Sequence, residues 1–123
     1  MKERLEITNS RTGILLGESI LVARTLWTRF IGFMGQAEIQ KGNGLLFEPC
    51  NQVQMCFMRF SIDLIFLSKQ NTILYLQRSI RPWRISRRIA NAEKVLEIPV
   101  GIIEQSRCEV GDQLVFRKIE ERA

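Results

Sequence analysis

The sequence predicts a mainly β fold, with about seven short strands and one or two short helices. Three observations carry that expectation. The stretch 53-VQMCFMRFSIDLIF-66 alternates with a period of two, the spacing at which the side chains of a strand share a face. It runs through a turn, 68-SKQN-71, into a second apolar run, 72-TILYLQR-78, so the two read as a β-hairpin. The remaining apolar segments are short and are broken by Gly, Asn and Asp turn signals.

Taken in order, 4-RLEITN-9 and 19-SILVAR-24 read as strands around a turn near Arg11 to Gly13. From Thr25 the period changes. Leu26, Trp27, Phe30, Ile31, Phe33 and Met34 form one helical stripe, with Thr25 able to cap its start and Gly35 its end, so a short helix is predicted over 26–34. A loop with two glycines, 36-QAEIQKGNG-44, leads into a short strand at Leu45 to Phe47. In the long alternating stretch, Cys56, Met58, Phe60, Ile62, Leu64 and Phe66 share the core face. Phe57, Arg59, Ser61, Asp63 and Ile65 share the other. Residues 79–92 read as a basic, irregular segment. Then 93-EKVLEI-98 is a strand, 101-GIIEQSR-107 a helical turn, and Gly111-Asp112 a turn into 113-QLVFRKI-119.

Without linker, repeat or low-complexity segment, residues 1–123 read as one domain, long enough to bury a core without staples. Apolar runs of a few residues fall far short of the roughly 20 needed to cross a bilayer, and the N-terminus lacks a signal-type stretch. A cytoplasmic chain without a membrane partner is therefore expected. Cys50, Cys56 and Cys108 lack C-x-x-C spacing, and there is no histidine. A disulfide framework, a zinc site and Ser-His or Cys-His nucleophiles are thereby disfavoured, and neither metal nor cofactor is expected. The net charge of +5 favours an acidic partner.

Three constellations remain. Arg59 and Asp63 lie four apart on one strand face, roughly 13 Å along it, too far to pair unless the strand bulges. They either project into a shared pocket or find separate structural partners, backbone N–H groups being one choice for Asp63. Glu97, between Leu96 and Ile98, is either on a wet strand face or buried, and with Asp63 it could form an acid–base carboxylate pair. The run 78-RSIRPWRISRR-88 repeats arginine every third residue at Arg78, Arg81, Arg84 and Arg87, with Arg88 beside it. On a polyproline-II segment that spacing aligns them, and Trp83 adds a stacking surface. The alternative is a solvated loop whose arginines cover acidic neighbours and whose Trp83 anchors it to the core. Cys56 reads as an inert core thiol.

The serial order of these motifs resembles a known family. Arg24, Arg29, Gly32 and Met34 precede Gly44 to Phe47. F-M-R-F-x-I-D-x-x-F-L follows at 57–67, P-W-R at 82–84, L-E-I-P-x-G at 96–101 and G-D at 111–112. This pattern, over about residues 22–117, resembles the domain of unknown function 192 family of small, mostly prokaryotic proteins. The resemblance implies a compact, barrel-like, β-rich domain with an antiparallel or mixed sheet; it implies no activity, substrate or cofactor. Where similar members read H-T-F-F-M-R-F-P-I-D, this chain has Gln54, Met55 and Cys56 at the first three positions and Ser61 in place of proline. The lost histidine argues against acid–base chemistry here.

By motif match, Met58, Arg59, Asp63, Pro82, Trp83, Arg84 and Glu97 are singled out. The resulting expectation is a binding or accessory module with no catalytic residue. Its polar pocket beside the central strand would draw on Arg24, Met58, Arg59, Asp63, Trp83, Arg84 and Glu97 and take a small anionic ligand or an acidic partner. The alternatives are phosphate or nucleic-acid binding through Arg78, Arg81, Arg84, Arg87 and Arg88 and, behind it, a carboxylate-based enzyme.

Overall fold

The computed structural model describes residues 3–24, 39–53, 55 and 60–119. The expected helix over 26–34 lies outside the described residues, as do Gln54, Cys56, Met58 and Arg59. The strands are β1 Arg4–Asn9, β2 Leu15–Ala23, β3 Asn43–Phe47, β4 Ile62–Leu67, β5 Ile73–Ile80, β6 Lys94–Pro99 and β7 Leu114–Lys118. A four-residue helix, α1, spans Ile102–Gln105 between β6 and β7.

All seven strands join one sheet in the order β5-β4-β6-β3-β2-β1-β7. Every neighbouring pair is antiparallel except β2 and β3. The sheet is a curled half-barrel whose two edge strands converge at one corner. There the Ile73 N–H donates to the Asp112 carbonyl at 2.8 Å and the Leu114 N–H to the Asn71 carbonyl at 3.0 Å. A bridge between Thr72 and Gln113 completes the contact.

The curl leaves two faces to cover, and both are covered. On one lie Ile7, Ile20, Leu46, Ile65, Leu67, Leu96 and Ile98, capped by Ile102 and Ile103 of α1. On the other lie Ile62, Leu64, Phe66, Ile80 and Val95, covered by Val53, Met55 and Ala92. β4 sits between them with all six residues buried. Full burial of each large apolar side chain contributes about 1.5–3 kcal/mol, so β4 anchors both layers.

The alternation predicted Ile62, Leu64 and Phe66 as one core face, and they are, with Phe60 packed against them. The opposite face, however, is not wet, because α1 and its neighbours close over it. Nor is the long stretch one strand: β4 begins only at Ile62. Upstream, Val53 and Met55 pair with the basic segment instead. The Met55 N–H donates to the Arg84 carbonyl and the Ser86 N–H to the Val53 carbonyl, each at 2.8 Å. β2 starts four residues before its predicted onset. Gly17 is one of the added strand positions, where a Cβ would lie 2.5 Å from Ile20 Cδ1.

Candidate functional site

Asp63 is 1% exposed and sits opposite Ile98 in the β4–β6 ladder, so its side chain lies on the α1 side of the sheet. Its Oδ1 accepts the Ser79 N–H at 2.9 Å. Its Oδ2 accepts the Gly101 N–H at 3.1 Å and the Ile103 N–H at 3.2 Å. These donors come from two special backbone sites. Ser79 has φ 51 near the end of β5, and Gly101 has φ 99 at the start of α1, a conformation that favours glycine. One carboxylate thus ties β4, β5 and α1 together, and its lone pairs are taken up by the backbone.

Glu97 is 2% exposed and stands opposite Leu45 on β3 and Leu64 on β4. Because Leu64 follows Asp63, the register puts Glu97 and Asp63 on opposite faces of the sheet. The acid–base pair raised by the sequence is not formed. Arg24 does not join either carboxylate. It follows β2, where it is ion-paired with Glu3 and lies 3.8 Å from Glu48. Hydrogen bonding to Glu3 pushes its pKa up further. Arg24 falls three strands across and four residues along the sheet from Asp63, a separation of roughly 20 Å from standard strand spacings. Trp83 and Arg84 belong to the layer over the Glu97 face, not the Asp63 face. The expected pocket is therefore split between two faces and a distant corner of the sheet, and Met58 and Arg59 lie outside the described residues.

The basic run also differs from its expected form. Ser79 at φ 51 and Trp83 at φ 67 interrupt any continuous polyproline-II conformation, which needs φ near −75°. Arg78, Arg81, Arg84 and Arg87 therefore do not line one side of such a segment. Arg78 turns to Glu104 at 2.9 Å, and the Arg87 guanidinium lies 5.4 Å from the centre of the Tyr75 ring. Arg81, Arg84 and Arg88 remain exposed. Trp83 is 63% exposed, so it is not a core anchor. It stands at a corner of the turn closed by the Arg84 N–H donating to the Arg81 carbonyl at 3.3 Å.

A second polar cluster was not legible in the sequence beyond the Gly111-Asp112 motif. Asp112 Oδ1 accepts Arg11 Nε at 2.8 Å, and Oδ2 accepts Asn9 Nδ2 at 3.0 Å and the Glu109 N–H at 2.9 Å. Chiefly through the Arg11 hydrogen bond, Asp112 is lowered to about 2. Cys108, buried beside Ser106, has its thiol pushed up by burial. The cluster staples the β1–β2 turn to the loop before β7. Strand-end Asn9 and turn residue Arg11 carry no pattern that foretells it.

A family pattern described as an uncharacterized ACR, DUF192, matches residues 7–116. The chain belongs to the DUF192 family. The match begins earlier than residue 22, taking in the end of β1 and the β1–β2 turn. Among curated relatives, a UPF0127 protein of Thermococcus sibiricus is 29% identical over 121 residues, covering 95% of this chain and 78% of that one. A UPF0127 protein of Pyrococcus abyssi is 41% identical over 58 residues, 47% of this chain and 49% of its own length. A crystal structure from Novosphingobium aromaticivorans, of unknown function, superposes with TM-score 0.75 at 19% identity, covering 91% of this chain and 83% of that one. One from Sinorhizobium meliloti, described as a "putative transcription regulator", gives TM-score 0.75 at 22% identity with 94% of both chains covered. Both share the fold of this chain, and at such identity the likeness concerns the fold alone. No helix among the described residues of this DUF192 chain is long and apolar enough to cross a membrane.

Proposed function

We propose that this DUF192 chain is a single-domain, cytoplasmic binding module that engages an acidic partner through the turn and extended segment from Arg81 to Arg88. The observation that carries this reading is Trp83, 63% exposed at the turn corner between the exposed Arg81 and Arg84. A half-exposed indole flanked by guanidiniums offers apolar contact and positive charge at one place. The net charge of +5 adds long-range attraction for an acidic surface. A carboxylate enzyme finds no support in the register, which sets Asp63 and Glu97 on opposite faces.

Binding of inorganic polyphosphate to the full chain, at low and at high salt, tests this. The expected result is affinity that falls as salt rises and drops in the triple variant Arg81→Gln, Arg84→Gln, Arg88→Gln. Equal affinity in the triple variant and the parent rules this surface out.

A further inference from the structure

The backbone at Trp83 carries more than a general basic surface does. Residues Arg81 to Arg84 form a turn with Pro82 and Trp83 at its corners, and Trp83 has φ 67. A proline followed by a residue of positive φ is the pattern of a type II turn, in which the second corner is the usual place of glycine. A bulky aromatic there is a conformational outlier, and such strain collects at binding sites. The backbone angle by itself favours glycine at this corner, and the chain places an exposed indole there. The turn is held against the sheet layer by the Trp83 N–H donating to the Met55 carbonyl and the Met55 N–H to the Arg84 carbonyl, both at 2.8 Å. The indole therefore projects from a backbone fixed on both sides. Ile85, 60% exposed, extends the apolar contact by one residue, and Arg88 extends the positive charge.

We propose that this turn is a stacking site for single-stranded nucleic acid. Trp83 takes the face of one unpaired base, and Arg81, Arg84 and Arg88 contact the flanking phosphates. This inference rests on the acidic-partner reading and names the partner's chemistry. A single aromatic between guanidiniums matches the alternation of one base with a phosphate on either side. A duplex hides its base faces, so an unpaired strand is the form that fits. A lipid surface fits less well, since among the described residues of this segment the exposed large apolar side chains are Trp83 and Ile85, with arginines around them.

The test compares two labelled strands of about 12 nucleotides, one of thymine and one abasic, by fluorescence anisotropy with the full chain. The thymine strand is expected to bind about 5- to 150-fold tighter than the abasic one. Its log affinity is expected to fall with log salt at a slope of about −2, from three phosphate contacts at about 0.7 each. Trp83→Gly should abolish the preference for bases and Trp83→Phe should restore most of it. Glycine adopts φ 67 without strain, and the unfolding midpoint of Trp83→Gly, measured beside binding, separates the loss of stacking from misfolding. Arg78→Gln, which removes an arginine already engaged by Glu104, should leave the slope unchanged. Equal affinity for the thymine and abasic strands overturns stacking while leaving the acidic-partner reading standing. Binding of anionic phosphatidylserine vesicles without any base preference also overturns it and assigns the turn to a lipid surface. Failure to bind either strand or polyphosphate defeats both readings.

Discussion

Removing the Asp63 carboxylate discriminates a structural role from a functional one. In Asp63→Ala, three backbone donors lose their acceptor: the N–H groups of Ser79, Gly101 and Ile103. An orphaned buried donor costs about 1–3 kcal/mol. Ser79 is exposed and can turn to water, whereas Ile103 is buried and has no such recourse. The three contributions also share one side chain and do not add in full. The expected loss is therefore about 3–5 kcal/mol, a large part of the 5–15 kcal/mol typical of a domain. Asp63→Asn keeps one acceptor oxygen but aims its NH₂ at a donor, for a loss of about 2–3 kcal/mol. Urea unfolding followed by circular dichroism reads both. With m about 1–2 kcal/mol/M and unchanged, the Asp63→Ala midpoint falls by about 1.5–5 M. Amide exchange at Ile103 should accelerate more than exchange in β2, because α1 loses the group that holds its first turn. A midpoint shift below about 0.5 M refutes the structural assignment and returns Asp63 to the set of candidate binding residues.

Two further outcomes follow from the packing and the polar cluster. Gly44→Ala places a Cβ 2.6 Å from the Glu97 carbonyl oxygen and 2.9 Å from Ile20 Cδ1. The backbone oxygen cannot swing aside, so calorimetry should show a loss of about 1–3 kcal/mol; an unchanged melting temperature contradicts the close packing of β3 on β6. Asp112 titrates at about 2 in the folded protein against an ordinary 3.8. A depressed folded-state value means its stabilisation is complete above pH 3.8 and is lost as pH falls toward 2. Asp112→Asn should therefore flatten the decline of stability over that interval, measured by urea midpoints at stepped pH; a parallel decline in the variant contradicts the assignment.

Much of the sheet was legible because strand periodicity is local. β1, the turn of the β4–β5 hairpin, β6 and β7 fall within a residue or so of where alternation and turn residues place them, since each is bounded by its own punctuation. Where a local signal conflicts with packing, the expectation fails. β2 starts at Leu15 rather than Ser19, and Gly17 within it leaves room for Ile20. Val53 and Met55 continue the alternation of β4 in sequence, yet hydrogen-bond to the segment around Arg84. Periodicity assigns a residue to a face and is silent on which strand lies beside it.

The candidate site shows the same division. The sequence by itself determined that Asp63 and Ile65 share one parity of β4 and that Ile62, Leu64 and Phe66 share the other. It also determined that a basic segment with one tryptophan follows the hairpin. Whether the Asp63 face is wet or covered depends on where α1 docks, a contact between residues about 40 apart in the chain. Whether Glu97 meets Asp63 depends on strand register, and a shift of one residue would have reversed the answer. The exposure of Trp83 was decided by a single left-handed backbone angle, fixed through hydrogen bonds to Met55. Parity and charge are written into neighbouring residues. Register, cover and the direction of one indole arise only when distant segments compete for the same hydrogen-bonding groups.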